Sequence, residues 1–238
     1  MEETAYRSRK KKITKILIMA RQILTALQKN FIQLFAKEKT LKSQFYLSGG
    51  TALSAYYLQH RFSEDLDFFN LDQIDILQLN TFLKSAKSNL KIKKSDFQQS
   101  YNRNIFFLHT KKEILKVEFT YFPFEQANKP IKKDGILIDS IMDIAINKAF
   151  TIAQNARSRD FIDLYCILEK YKKLTLPKLL TLARNKFDAQ IDPLQLATQL
   201  LKSKTLQDLP RMIQKIDQHK WRAFFLKQAK SLSRNIFK

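Results

Sequence analysis

Two short stretches of this chain carry residue types able to handle phosphate. Asp65-Leu66-Asp67 places two carboxylates at i and i+2. On a strand such residues share one face, about 6 to 7 Å apart along the chain, a spacing suited to holding one or two divalent cations. Hard oxygen ligands select Mg²⁺ or Mn²⁺. Upstream, Gly49-Gly50-Thr51 falls where a short strand gives way to a helix-forming run. Glycines there offer bare backbone N–H groups and a positive helix end to a phosphate, and Thr51 adds a hydroxyl. Either element alone is common by chance. In succession, with the glycines ending one strand, the acids on the next and a single helix between, they point to one cleft for phosphates and metal, the arrangement used in phosphoryl transfer.

The flanking sequence supplies elements to position these groups. Apolar positions Ile16, Leu17, Ala20, Leu24, Leu27, Phe31 and Leu34 recur at helical spacing across 13–37. Residues 44–48 read as a strand, 51–60 as a helix, and 65–69 as a strand with Leu66 and Phe68 on the face opposite the aspartates. A helix follows through Ile74, Leu77 and Phe82, then β-like runs at 90–94, 105–109 and 115–122. The expected sheet is mixed, with about five strands. Beyond Pro130 the texture becomes helical: Ser140 with Asp143 resembles a helix cap, and Pro177, Asp192-Pro193 and Asp208 ahead of Pro210 suggest further starts. A boundary near residue 138 would separate a sheet domain, 1–138, from a helical bundle domain, 139–238.

Composition sets outer limits. Forty-three Lys plus Arg against 22 Asp plus Glu give a formal charge of +21, which favours a phosphate-bearing partner. A basic, AT-rich coding bias is the plain alternative. The single cysteine, Cys166, excludes an internal disulfide and a cysteine zinc cluster, and fits the cytoplasm. The basic run Arg7 to Lys12 precedes only five apolar residues before Arg21, so an amphipathic helix is expected rather than a secretion signal; no stretch reaches the about 18 apolar residues that span a membrane. His60, His109 and His219 lack ligand spacing, and His60 is expected to border the cleft. Trp221, Phe224 and Phe225 are expected in the core, and Cys166 is expected to be buried and inert.

The run Leu47-Ser48-Gly49-Gly50-Thr51-Ala52-Leu53, continued by His60-Arg61-Phe62-Ser63-Glu64-Asp65-Leu66-Asp67-Phe68, resembles the AbiEii/AbiGii nucleotidyltransferase family, which includes abortive-infection and toxin-antitoxin toxins. A second signature is matched by Lys148 within Asp143-Ile144-Ala145-Ile146-Asn147-Lys148 and by Arg157-Ser158-Arg159-Asp160-Phe161-Ile162-Asp163-Leu164. The resemblance spans residues 44 to 168; the C-terminal helices carry no matching motif.

That resemblance implies an α+β fold with a polymerase-β-like core and an appended helical domain. It also implies transfer of a nucleotide from an NTP to an RNA, tRNA foremost, or to a protein, by the toxin of a pair with a cognate antitoxin. Carried over by residue, Gly49, Gly50 and Thr51 would cradle the triphosphate, with Ser63 and Arg61 beside them. Asp65 and Asp67 would bind metal, Lys148 would contact phosphates, and Asp160 would orient the acceptor. Many transferases of this kind place a third acid on a later strand, and Glu118 has suitable apolar flanks, though Lys116 shares its face. A lysine on an apolar helix stripe needs an anion, which a phosphate or Asp160 or Asp163 would supply. Arg157, Arg159, Asp160 and Asp163 could equally form an ion network between helices. The alternative function is a non-catalytic nucleotide, RNA or protein-binding module on the same fold.

Overall fold

The computed structural model describes residues 23–236. The cluster Arg7 to Lys12 and the start of the helix expected over 13–37 lie outside that range. Helix α1 (Ala26–Phe35) starts at Thr25, whose hydroxyl accepts from the Gln28 amide while the Gln28 side chain accepts from the Thr25 amide, a reciprocal cap. After α2 (Lys39–Gln44) comes β1 (Tyr46–Ser48), and α3 (Gly49–Leu53) begins directly from it. A π-type turn over Ser54–Leu58 closes with Gln59 in the left-handed region. Strand β2 (Leu66–Asn70) and helix α4 (Ile76–Asn89) follow, then β3 (Lys94–Ser100), β4 (Arg103–His109), β5 (Ile114–Tyr121), β6 (Ile131–Lys133) and β7 (Ile136–Ile138).

These strands form one seven-stranded sheet in the order β3-β4-β5-β2-β1-β7-β6. The pairs β2·β5 and β1·β7 are parallel, and the other pairs are antiparallel. The sheet exceeds the five strands expected because the β6–β7 hairpin is joined to it. That hairpin turns at Asp134-Gly135, both at positive φ, which suits a two-residue primed turn. The strand expected over 90–94 is displaced: Leu90 and Ile92 are buried at the end of α4, and β3 starts at Lys94. Being an exposed polar edge strand, β3 shows no apolar alternation.

Alternation on β2 divides the molecule. Leu66 and Phe68 point into a core where Phe68 packs on Phe35 and Phe119 with ring centroids 4.6 and 5.3 Å apart. Asp65 and Asp67 take the opposite face. Parallel register sets Asp67 beside Glu118 of β5.

The helical segment comprises α5 (Ile141–Asn155), α6 (Ser158–Lys170), α7 (Leu176–Phe187), α8 (Pro193–Leu201) and α9 (Gln218–Ile236). The expected caps hold at Ser140 and Asp192, and Thr175 caps the helix that Pro177 enters. Asp208 and Pro210 start no helix; instead Asp208 receives the amide and hydroxyl of Ser158 and fixes the head of α6. Trp221 and Phe225 are buried against Phe161, as expected of core residues. Apolar side chains of the sheet and of these helices form one continuous core. Among the described residues no helix is long and apolar enough to cross a membrane.

Candidate active site

The turn from β1 into α3 is built around two close approaches. Gly49 has φ +70°, and a Cβ there would lie 2.6 Å from Oδ2 of Asp67. A side chain at Gly50 would collide with the guanidinium of Arg61 and press on Oγ of Ser63. Both positions therefore require glycine, for conformation at the first and for space at each. Ser48 Oγ donates to Asp139 at 2.7 Å, and Gln126 donates to the other oxygen of that carboxylate at 2.7 Å. Burial pushes Asp139 up to about 6 despite those hydrogen bonds.

Asp67 and Glu118 stand side by side on the face away from the core. Burial first, then the charges of Glu118 and Asp65, raise Asp67 to about 6. Among the described residues Asp67 has neither a hydrogen bond nor an ion pair through its side chain. Asp65 pairs with Lys116 at 3.2 Å. Glu118 is gripped by Arg103, whose Nη2 lies 2.6 Å from Oε2, and it accepts from Thr120 at 3.0 Å. Burial alone would raise Glu118, yet Arg103, Thr120 and Lys116 hold it below the usual carboxylate range.

Across from these acids lies a buried ion cluster centred on Asp163. Arg61 donates to both its oxygens at 2.6 and 2.8 Å, His60 Nε2 sits 2.8 Å away, and Lys148 Nζ lies 2.8 Å from it and 2.7 Å from Asp160. Asp160 also accepts the backbone N–H of Arg157 at 3.1 Å, capping α6. Burial would raise Asp163, but Lys148 and Arg61 drive it well below the ordinary range. Lys148 is raised in turn: burial opposes its charge and is outweighed by Asp163 and Asp160.

Two adjoining cavities meet at Arg157. One, of about 490 Å³, is lined by Gly49, Asp67, Arg103, Glu118, Lys148 and Asp160, with aromatic rings beyond. The other, of about 280 Å³, is lined by Ser63, Asp65, Arg159 and Arg211, and by Arg61 at its base. The two aspartates, expected to share one cleft, thus line different cavities that have Arg157 in common. The loop between them and the helix is clamped: Phe62 N–H donates to Arg211 at 2.9 Å, and the Gln28 amide donates to the carbonyls of Ser63 and Glu64 at 3.0 Å.

Most expected site residues therefore line one cavity or the other; Gly50 and Thr51 line neither, and Arg61 is committed to Asp163. Thr51 is buried and its hydroxyl donates to the Asp65 carbonyl, so it shapes the loop rather than facing the cavity. Arg61 is 3% exposed and spent on Asp163. His60 is buried on the same carboxylate and does not border the main cavity. Burial pushes the half-buried Cys166 thiol up to about 12, which keeps it un-ionised. None of the lysine clusters at 91–94, 111–112, 129–133 or 170–173 lines either cavity. Sequence reasoning missed Arg103 and Asp139 altogether, and it left Asp163 as one member of a possible network rather than its hub.

Among the described residues no three His, Cys, Asp or Glu side chains are already gathered as a metal cage. The donor chemistry nonetheless suits a cation: Asp67 faces the cavity with no counter-ion of its own, and two further carboxylates raise its proton affinity. Asp65 lines the other cavity and has Lys116 as its counter-ion.

A family model described as nucleotidyl transferase AbiEii toxin, type IV toxin-antitoxin system, matches residues 33–234. Two crystal structures from Helicobacter pylori share the fold: a candidate nucleotidyltransferase superposes with TM-score 0.57 at 21% identity over 88% of this chain and 92% of its own. JHP933 does so with TM-score 0.54 at 22% identity, over 88% of this chain and 90% of its own. The protein aq_aa25 of Aquifex aeolicus (strain VF5) is 34% identical over 131 residues, which are 54% of this chain and 60% of that relative.

Proposed function

Because the chain belongs to the AbiEii family of nucleotidyltransferase toxins, we propose that it is a metal-dependent enzyme. In this reading it transfers a nucleotide from an NTP to an RNA, with tRNA the first acceptor to test, as the toxin of a pair with a cognate antitoxin. The observation that carries the reading is the meeting of Gly49, Asp67 and Glu118 on one wall with Lys148, Asp160 and Arg157 on the other.

Mg²⁺ or Mn²⁺ held by Asp67 and Asp65 would neutralise the triphosphate as its charge shifts. Gly49 keeps the approach to Asp67 clear, and Lys148, anchored by two acids, presents one ammonium to the phosphates. Arg157 borders both cavities and would hold donor and acceptor together. The acceptor oxygen bonds to the α-phosphorus, the bond to pyrophosphate breaks, and pyrophosphate leaves. Asp65 lines the arginine-rich groove and, as a ligand of the metal, would help hold the incoming acceptor oxygen for attack, while the proton that oxygen loses passes to water. Asp160 positions Lys148 and the head of α6, and so acts on the acceptor side indirectly. In this reading the site draws on both the sheet segment, to 138, and the helical segment, from 139.

The test is incubation of the protein with Mg²⁺, each labelled NTP and total RNA, followed by sequencing of RNA 3′ ends. Labelled RNA is expected, with Asp67→Asn reducing transfer by at least about 10³-fold. Folded protein that transfers no NTP to RNA or to protein would overturn the reading. Asp67 is a better probe than Lys148, whose loss also strands Asp160 and Asp163. One observation favours a binding module instead: Glu118 and Asp65 already carry Arg103 and Lys116 as counter-ions. Turnover separates the two.

A further inference from the structure

Glu118 has the position of a metal ligand but the surroundings of a residue already in use. It lies beside Asp67 in the parallel register of β2 and β5, on the cavity face. Both of its oxygens are nonetheless filled from within the chain. Oε1 accepts from Nε of Arg103 and, at 3.0 Å, from the hydroxyl of Thr120. Oε2 accepts from Nη2 of Arg103 at 2.6 Å and has Nζ of Lys116 at 3.5 Å. Those contacts match the about four lone-pair sites of a carboxylate. A divalent cation at Glu118 would have to displace the guanidinium and then sit against it, like charge on like charge, at a side chain only 6% exposed.

Arg103 is the opposite case. Its side chain is 50% exposed and lines the larger cavity. A guanidinium has five N–H donors; Glu118 takes two, and the remainder have no hydrogen-bond partner among the described residues. Strand register delivers the group, since Arg103 opposes Thr120 on β5, two residues from Glu118. The bidentate contact then fixes its plane. A planar fork held in this way matches phosphate oxygens better than any other side chain does.

We infer that Glu118 is a positioning residue rather than a metal ligand, and that Arg103, held by it, is the resident cation that meets the triphosphate on the strand side of the cavity. The inference rests on the NTP reading above and reverses the expectation of a third metal carboxylate. Metal then falls to Asp67 and Asp65 alone. Lys148 serves the phosphates from the helical side and Arg103 from the sheet, so that part of the charge a second cation would neutralise is met by a guanidinium.

The roles separate on two probes of the full chain: Mn²⁺, followed by electron paramagnetic resonance, and inorganic tripolyphosphate in EDTA, followed by calorimetry. Thermal unfolding checks that each variant folds. Arg103→Gln should weaken metal-free tripolyphosphate about tenfold. By releasing the Glu118 charge beside Asp67, it should also tighten Mn²⁺ severalfold. An arginine that only supported the fold would weaken both when lost. The charge-neutral pair Arg103→Gln with Glu118→Gln should bind Mn²⁺ within about threefold of wild type, whereas Asp67→Asn should lose at least about tenfold. Lys111→Gln, an equal charge change at an exposed turn, should alter tripolyphosphate affinity less than about twofold. A paired variant that loses Mn²⁺ as Asp67→Asn does would make Glu118 a ligand and overturn the inference. So would an Arg103→Gln variant with tripolyphosphate affinity unchanged, or with Mn²⁺ weakened. A wild type that binds neither Mn²⁺ nor tripolyphosphate would end the NTP reading itself, and this inference with it, a result distinct from the others.

Discussion

Among the acids around the site, Asp67 stands apart. Asp65 has Lys116, Glu118 has Arg103, Asp160 and Asp163 have Lys148, and Asp143 has Lys186. Asp67 has no ion-pair partner among the described residues: burial first, then the charges of Glu118 and Asp65, raise the cost of ionising it and outweigh the relief from Lys116 and Lys148. Its folded value of about 6 exceeds the 3.8 of a free aspartate, so the folded state binds the extra proton between those values. Ionised Asp67 therefore destabilises the fold, fully above about pH 6, and that penalty fades as pH falls toward 4. Asp67→Asn should stabilise the protein at pH 7.5 by up to about 3 kcal/mol while abolishing transfer. The gain should shrink at pH 4.5, as thermal or denaturant unfolding at both pH values would show; an Asn variant less stable at pH 7.5 would contradict the cost. Cation binding, which needs the carboxylate, should weaken roughly tenfold per unit below about pH 6. The Asp-x-Asp spacing was legible in the chain, but this lack of compensation was not. It depends on Arg103, which sits in the polar run Asn102-Arg103-Asn104 and reaches Glu118 only through strand register.

At the level of elements, legibility followed the physics of each signal. Caps are local, so Ser140 and Asp192 announced their helices. Strand β2 showed its alternation because one face meets an aromatic core and the other a polar cavity. Edge strand β3 has no buried face to create a pattern, and the β6–β7 hairpin is short, although Asp134-Gly135 is a strong turn signal. Two glycines separate structural from functional demand. Gly49 and Gly135 both have positive φ, at +70° and +80°, and a Cβ would meet Asp67 Oδ2 at 2.6 Å in the first and Ala36 Cβ at 2.9 Å in the second. Alanine at either should cost about 1 to 3 kcal/mol. Only Gly49→Ala also displaces the proposed metal carboxylate, so it should cut transfer at least about 100-fold. Gly135→Ala, measured at a temperature where it stays folded, should keep near wild-type turnover. Equal losses in the two variants would mean that Gly49 acts through stability alone.

For the whole molecule the question is where the +21 charge acts. A net charge of this size draws any polyanion, and each neutralised phosphate contributes about 0.7 to 0.9 to the salt slope of binding. Were the charge used evenly, substituting any exposed lysine pair would matter equally. The lysine clusters of the described residues stand away from both cavities, whereas Arg157 and Arg211 line the groove that holds Asp65. Arg211 is further oriented by lying 4.2 Å over the Phe62 ring, and its backbone is tied to the same loop. The general field should bring RNA to the surface while these arginines set its register at the site. Replacing both by Gln should therefore lower the slope of log affinity against log salt by about 1.5 and weaken RNA binding severalfold. Lys111→Gln with Lys112→Gln, at the exposed β4–β5 turn, should reduce encounter rate slightly and leave transfer at saturating RNA untouched. Binding titrations across a salt series, paired with single-turnover transfer, read both quantities. If the lysine pair lowers the slope as much as the arginine pair, the groove holds no privileged part of the acceptor and the charge serves only to gather it.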